Sequence, residues 1–383
     1  MASKSNPSSP ANPVSATDPV PDTVFHLCSH CADRQAARKG IEIVQGDKCD
    51  ICNGVLDRIG GIAERIATKL ETTDAEYHTF LIGTRMPKSM ATKEEEIWEE
   101  LGLGKECIKT ELNREIGKVI ETRYKKYRYD PDPDVRAIYD IKSGLIDIEL
   151  TPIYIFGKYR KLKRGIRQTK RAEGKEESIE ELVTPTFVKF AHGERAVFHG
   201  HGREDIDVLM LGEGRPFIVE VIGPRLRKID LHEVAREINK SAKKKVEVLG
   251  LKYARVRDVS SIKRSKFDKK YEAIVELSSP IEKKDMEKIE SRCILLQGTP
   301  TRVLNRRADL VRKRKVKEIK VKFIDKKHIG LTLLTESGTY IKEFVSGDGG
   351  RTEPSISSML GVDAKCKELN VLRIYSEWYE DFW

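Results

Sequence analysis

Two groups of side chains in this 383-residue chain have the types and spacing to do chemistry. The first lies in His199-Gly-His-Gly-Arg203-Glu204-Asp205-Ile-Asp207-Val-Leu-Met-Leu-Gly-Glu-Gly-Arg-Pro-Phe217. A glycine-rich turn, an arginine and several carboxylates stand against the start of an apolar run. Glycine lets the backbone bend where a side chain would clash. The alternation of Ile206, Val208 and Met210 predicts a half-buried strand that would anchor the acids. On such a strand Asp205 and Asp207 share a face and Glu204 points the other way. Two same-face acids suit Mg²⁺-dependent phosphodiester hydrolysis. A single acid acting as nucleophile, with the other bonded to the loop, is the second option. Acids decorating an exposed strand are the ordinary explanation, and the flanking glycines and Arg203 count against it.

The second group is Cys28-Ser-His-Cys31 and Cys49-Asp-Ile-Cys52, two C-x2-C pairs separated by residues 32–48. Four thiolates from two such knuckles meet at the corners of a tetrahedron, which suits zinc. With all four positions filled by protein, the ion is expected to be structural, and in so small a module its binding supplies most of the folding energy, about 10 kcal/mol or more. His26 and His30 stand close enough to compete, but the cysteines suffice. Cys107, Cys293 and Cys366 stand alone and read as packing residues.

The elements that must position these groups follow from periodicity. Apolar residues at Ile108, Leu112, Ile116, Val119 and Ile120 recur at helical spacing. Tyr77–Gly83, Leu145–Leu150, Ile153–Phe156, Phe217–Ile222, Tyr271–Leu277 and Thr339–Val345 read as strands, with Tyr271 a core aromatic and Lys342 an edge-strand lysine. Asp230 followed by Glu233 predicts a capped helix start. The polar stretch from Arg160 to Glu180 predicts the domain boundary. The division expected is a flexible tail over 1–22, a zinc module over 23–60, an accessory domain over 61–170 and a catalytic domain over 171–383.

The balance of 71 Lys+Arg against 61 Asp+Glu leaves a formal +10. The excess is concentrated in Arg123–Arg128, Lys158–Arg171, Lys243–Lys245 and Arg302–Lys322, interleaved with Tyr124, Tyr127, Tyr129 and Tyr159. That pattern predicts a polyanionic partner. The segment Gln297–Lys317 is too basic for a core and predicts a nucleic-acid-contacting arm, with a solvated helix as its ordinary alternative. No apolar stretch is long enough to span a membrane, and the first twenty residues lack the apolar core of a secretory leader. The cysteine usage predicts a reducing compartment, the cytoplasm.

At these residues the chain resembles the archaeal and eukaryotic tRNA pseudouridine synthases of the Pus-ten family, from about Val24 to Trp383. The most specific element is Gly202-Arg-Glu-Asp205-Ile-Asp-Val208 with Leu211–Phe217. The resemblance implies that Asp205, not Asp207, is the catalytic aspartate. It implies that Tyr271 packs on the target base and that Lys342, after Ile341, pairs with the aspartate and keeps it ionised. Leu369 would floor the site, and Arg203 would meet the flipped nucleotide's backbone. It implies an α+β, antiparallel-rich mixed-sheet catalytic domain and a separate α/β THUMP-containing accessory domain carrying the four-cysteine zinc site. The accessory domain would grip the RNA away from the target. The implied activity is isomerisation of uridine to pseudouridine in the tRNA T-loop, at positions 54 and 55, with structural Zn²⁺, no organic cofactor and no obligate protein partner. Asn305, where the family has histidine, and Leu209, where it often has a basic residue, are departures that bear on RNA docking.

Overall fold

A computed structural model describes residues 24–35, 41–101, 106–170 and 177–375. The expected tail over 1–22 lies outside the described residues. The chain forms two compact units that divide between Glu149 and Leu150.

In the first unit, β1 (Phe25–Leu27), α1 (Ser29–Gln35) and β2 (Ile41–Ile43) carry the cysteine module, with β1 and β2 paired in parallel. Then follow α2 (Ile59–Glu71), β3 (Thr79–Arg85), α3 (Lys88–Leu101), α4 (Ile108–Arg123), β4 (Arg128–Tyr129), β5 (Val135–Asp140) and β6 (Ile146–Leu150). The four strands form one sheet in the order β4-β3-β5-β6. Helix α2 buries Ile62, Ala63, Ile66, Ala67 and Leu70, and α4 buries Leu112, Ile116 and Ile120. These i, i+3, i+4 stripes are what a helix presents to a sheet. Opposite them, Phe80, Ile82 and Thr84 alternate inward from β3. Each fully buried large apolar side chain contributes about 1.5–3 kcal/mol.

The second unit contains β7 (Ile153–Lys161), α5 (Ile179–Ala191), β8 (Arg195–Gly200), β9 (Leu209–Ile222), α6 (Leu231–Ser241), β10 (Val246–Ala254), α7 (Val256–Arg264) and β11 (Lys269–Leu277). It continues through β12 (Cys293–Gln297), β13 (Arg312–Asp325), β14 (His328–Thr335), α8 (Ile341–Ser346), β15 (Thr352–Glu353), α9 (Ile356–Leu360) and β16 (Ala364–Ile374). Ten strands form one mixed sheet, ordered β10-β7-β9-β16-β11-β14-β13-β12-β15, with β8 on β9. The pairings are antiparallel apart from β16 with β9. Gly212 makes the bend in β9 possible: its φ is +58°, and a Cβ there would lie 1.8 Å from the Leu372 carbonyl oxygen. Asp230 caps α6 by accepting from the backbone N–H groups of His232 and Glu233.

Four expectations change. The units divide about twenty residues before the boundary set near 170, because β7 is hydrogen-bonded between β9 and β10 of the second sheet. Residues 205–208 form a turn, with β9 starting only at Leu209, so Asp205 and Asp207 are not strand neighbours. Residues 341–346 form a helix, not a strand: Ile341, Phe344 and Val345 are buried on one helical face, and Gly347 ends it at φ 80°. The basic arm is a short 3₁₀ turn, a loop and then β13, whose alternating burial makes it part of the sheet.

Candidate functional site

The carboxylate loop between β8 and β9 is held on several sides. Glu204 points inward, ion-paired with Arg215 Nε at 2.7 Å and accepting from Tyr159 Oη at 3.0 Å. Gln168 Nε2 donates to both Tyr159 Oη and the Gly202 carbonyl at 2.9 Å. Lys161, fully buried, donates from Nζ to the Asp205 and Ile206 carbonyls at 3.1 and 3.0 Å. Burial, outweighing the nearby carboxylates, pushes Lys161 down to about 8. Arg164 donates to the Asp207 carbonyl at 2.6 Å and the Leu369 carbonyl at 3.0 Å, tying the loop to β16. Few of the loop's backbone groups are left to move, so the direction of Asp205 is set by its neighbours.

That direction is into a cavity of about 600 Å³. Arg203, Asp205, Tyr271, Ile341, Lys342 and Leu369 all line it, so six residues dispersed between positions 203 and 369 meet at one place. Tyr271 comes from β11, beside Leu369 of β16, and Ile341 and Lys342 open α8. Burial pushes the Tyr271 phenol up to about 12, so it stands as a neutral aromatic wall. Lys342 Nζ lies 2.7 Å from both Asp207 oxygens and 3.4 Å from Asp205 Oδ2. Partial burial favours a protonated Asp207, but Lys342 outweighs it and holds that carboxyl below the usual range.

Arg302, which the sequence reading did not single out, is the closer cation to Asp205. Its Nη1 lies 3.0 and 3.2 Å from the two carboxylate oxygens, while its Nε donates to Glu343 Oε1 at 2.7 Å. Burial works against its charge, but Glu343 and then Asp205 more than compensate, and Arg302 is held above the usual arginine range. Within the basic segment only the tertiary fold distinguishes Arg302 from its neighbours. Arg306, Arg307, Arg312 and Arg314 line the same cavity. One aspartate, 39% exposed, thus faces an apolar and aromatic wall under a rim of cations.

In the first unit, Cys28, Cys31, Cys49 and Cys52 are all buried, with their four Sγ atoms within 4.8 Å of one another. Cys28 and Cys52 Sγ are 3.6 Å apart. Tetrahedral zinc with Zn–S near 2.3 Å needs sulfurs about 3.8 Å apart, so the donor set fits a metal ion. His26 and His30 turn instead toward Asp50 and Glu111. Arg34 Nη2 donates to Cys31 Sγ at 3.2 Å, and the guanidinium also pairs with Glu94 and Glu111, tying the thiol cluster to α3 and α4. Among the described residues no helix is long and apolar enough to cross a membrane.

Comparison with known proteins agrees with this division. The family described as Pus10, C-terminal, matches residues 154–375, and the archaeal Pus10 THUMP domain matches residues 62–140. The tRNA pseudouridine synthase Pus10 of Pyrococcus furiosus is 44% identical, covering 92% of this chain and 95% of that protein. The same-named proteins of Thermoplasma acidophilum and Methanopyrus kandleri are 39% and 38% identical, each over 86% of this chain and covering 85% and 81% of theirs. Among solved structures, a Cbf5-Nop10-Gar1 complex aligns at a TM-score of 0.31 and 19% identity over 57% of this chain and 48% of that one, too partial an overlap to argue from. At this identity over nearly the whole length, the chain belongs to the Pus10 family of tRNA pseudouridine synthases.

Proposed function

We propose that the second unit isomerises uridine to pseudouridine in the T-loop of tRNA, at positions 54 and 55, with Asp205 as the catalytic carboxylate. The observation that carries this reading is a single aspartate fixed between two cations in a cavity walled by Tyr271, Ile341 and Leu369. The carboxylate starts glycosidic cleavage at C1′, the freed uracil turns against Tyr271, and the ring re-bonds through C5. Lys342 and Arg302 hold the carboxylate in place through ion pairs at 3.4 and 3.0 Å. Arg203 and the arginines of the rim meet the backbone of the flipped nucleotide, offsetting a flipping cost of a few kcal/mol. The first unit holds structural Zn²⁺ through Cys28, Cys31, Cys49 and Cys52 and contributes RNA contacts from its THUMP segment. A reducing compartment such as the cytoplasm suits those four thiolates.

A two-metal nuclease needs Asp205 and Asp207 free to share cations. Lys342 instead places an ammonium between them, which favours isomerisation. The test is carbodiimide primer extension on an unmodified tRNA transcript, alongside a binding assay. Asp205→Ala is expected to abolish pseudouridine while tRNA affinity and the melting temperature survive. Tight binding by the wild-type chain with no pseudouridine formed would sink the reading, as would product from Asp205→Ala.

A further inference from the structure

We propose that Lys269 is a second catalytic residue of this cavity, an ammonium donor to the ring oxygens of the uracil once its glycosidic bond has broken. The proposal rests on the isomerase reading above and adds a group that reading leaves unused.

Lys269 opens β11, two residues before Tyr271 and on the same inward face. It lines the catalytic cavity and is 9% exposed. Its Nζ lies 3.7 Å from where a Cβ on Gly202 would stand, immediately beside the loop that carries Asp205. Among the described residues it has no hydrogen-bond or ion-pair partner. The charged and titratable groups facing it are Arg215 of β9 and Glu204 and His201 of the loop. The neighbouring strands offer Thr335 and Ile374 at its register, and neither titrates. Glu204 is already committed to Arg215. His201 is neutral, pushed down to about 4 by burial and then by Lys269. Glu204 and Arg215 thus pair with each other on the cavity floor, and Lys269 beside them has no anion of its own. Burial, then Arg215, pushes Lys269 down to about 7.

A buried ammonium without a partner costs stability and is retained where an incoming group completes it. The isomerisation supplies such a group. When C1′–N1 breaks, the electron pair leaves with the uracil, and the charge spreads onto O2 and O4. The Asp205 carboxylate holds C1′ until C5 attacks it and the carboxylate leaves; the C5 proton then goes to water and N1 takes one up, so ring and carboxylate regain their starting charges and Lys269 keeps its proton throughout. A donor held at the oxygens of a leaving anion acts only when the charge develops, which is where it accelerates a reaction. A backbone phosphate is the other candidate anion. The exposed Arg203, Arg306 and Arg307 at the rim meet solvated phosphates better than a lysine on the cavity floor.

The experiment compares the full-length wild type with Lys269→Met and Lys269→Arg, using unmodified tRNA transcript. Single-turnover rate, tRNA Kd, melting temperature and the pH dependence of kcat/KM are measured. For Lys269→Met the expected result is a rate lowered about 10²-fold, Kd within about threefold of wild type, and a melting temperature equal or higher. A lysine held for structural reasons would lower it. Because the charged form is required, wild-type kcat/KM should fall as pH rises through about 7. In Lys269→Arg, which stays charged, that fall should be absent. An unchanged Lys269→Met rate overturns the proposal, as does a loss confined to Kd, which would mark a phosphate contact. Persistence of the alkaline fall in Lys269→Arg overturns it too, and decides the matter if Lys269→Met fails to fold. A wild-type chain that makes no pseudouridine refutes the isomerase reading itself, a separate outcome.

Discussion

Asp205 is fixed from two directions at once. Its backbone carbonyl is held by Lys161, and its side chain by Arg302 and Lys342. Lys342 is shared with Asp207, to which it lies closer, and Arg302 is the nearer of the two cations to Asp205. Arg302 also satisfies the buried Glu343, whose other oxygen has no hydrogen-bond partner. Arg302→Gln should therefore lose on two counts. Turnover is expected to fall tenfold or more in single-turnover assays. Stability is expected to fall by about 1–3 kcal/mol in urea melts, the cost of leaving a buried acceptor unpaired. Arg302→Lys should recover little of either, because Arg302 meets Asp205 and Glu343 through two different guanidinium nitrogens, and a single ammonium does not reproduce that spread. Full activity in Arg302→Gln would show that Lys342 alone suffices.

At the scale of elements, the carboxylate loop and the thiol module show opposite strategies. The loop hangs between β8 and β9 and is held by side chains from β7, β9 and the 162–170 segment, all anchored in one large core. The thiol module has two three-residue strands and a seven-residue helix, too little apolar surface to fold without help. Four buried cysteines replace that missing core. Prolonged chelation, or Cys49→Ser, should melt the module, read as metal release and rapid proteolysis within residues 24–58. Arg34 joins the cluster to α3 and α4, so loosening should extend to those helices in hydrogen exchange. Module protection that survives complete metal removal would refute the structural role.

The whole molecule carries an excess of ten positive charges, and its cavity rim is built largely of arginine. Affinity for tRNA should therefore fall with salt on a log–log plot, with a slope of roughly −0.7 for each phosphate contacted along single-stranded RNA. Neutralising Arg306 and Arg307 together should make that slope shallower by one to two such increments while single-turnover chemistry at saturation is preserved. A slope unchanged in the double variant would place RNA contacts elsewhere than this rim.

Much of this architecture was legible in the chain before folding. Periodicity exposed α4, β6 and β11, because a repeat of 3.6 or 2 is a local property. The cysteine spacing pointed to the four-thiol cluster, because two short knuckles need only a closing loop. Glu204 does point inward, but its direction is set by Arg215 and Tyr159 and not by the strand alternation expected of it. Three features were decided by tertiary contacts. Thr339–Val345 is rich in strand-forming residues yet folds as α8, since burial of Ile341, Phe344 and Val345 on one helical face outweighs weak local preference. Arg302 looks like any other arginine in its run until the loop folds over Asp205. Lys269 reads as the start of a strand until the sheet closes around it and leaves it buried without a partner of its own. Which residues could do chemistry was a matter of side-chain type and spacing. Which of them share one cavity depended on strands far apart in sequence, because electrostatic contacts act through space and not along the chain.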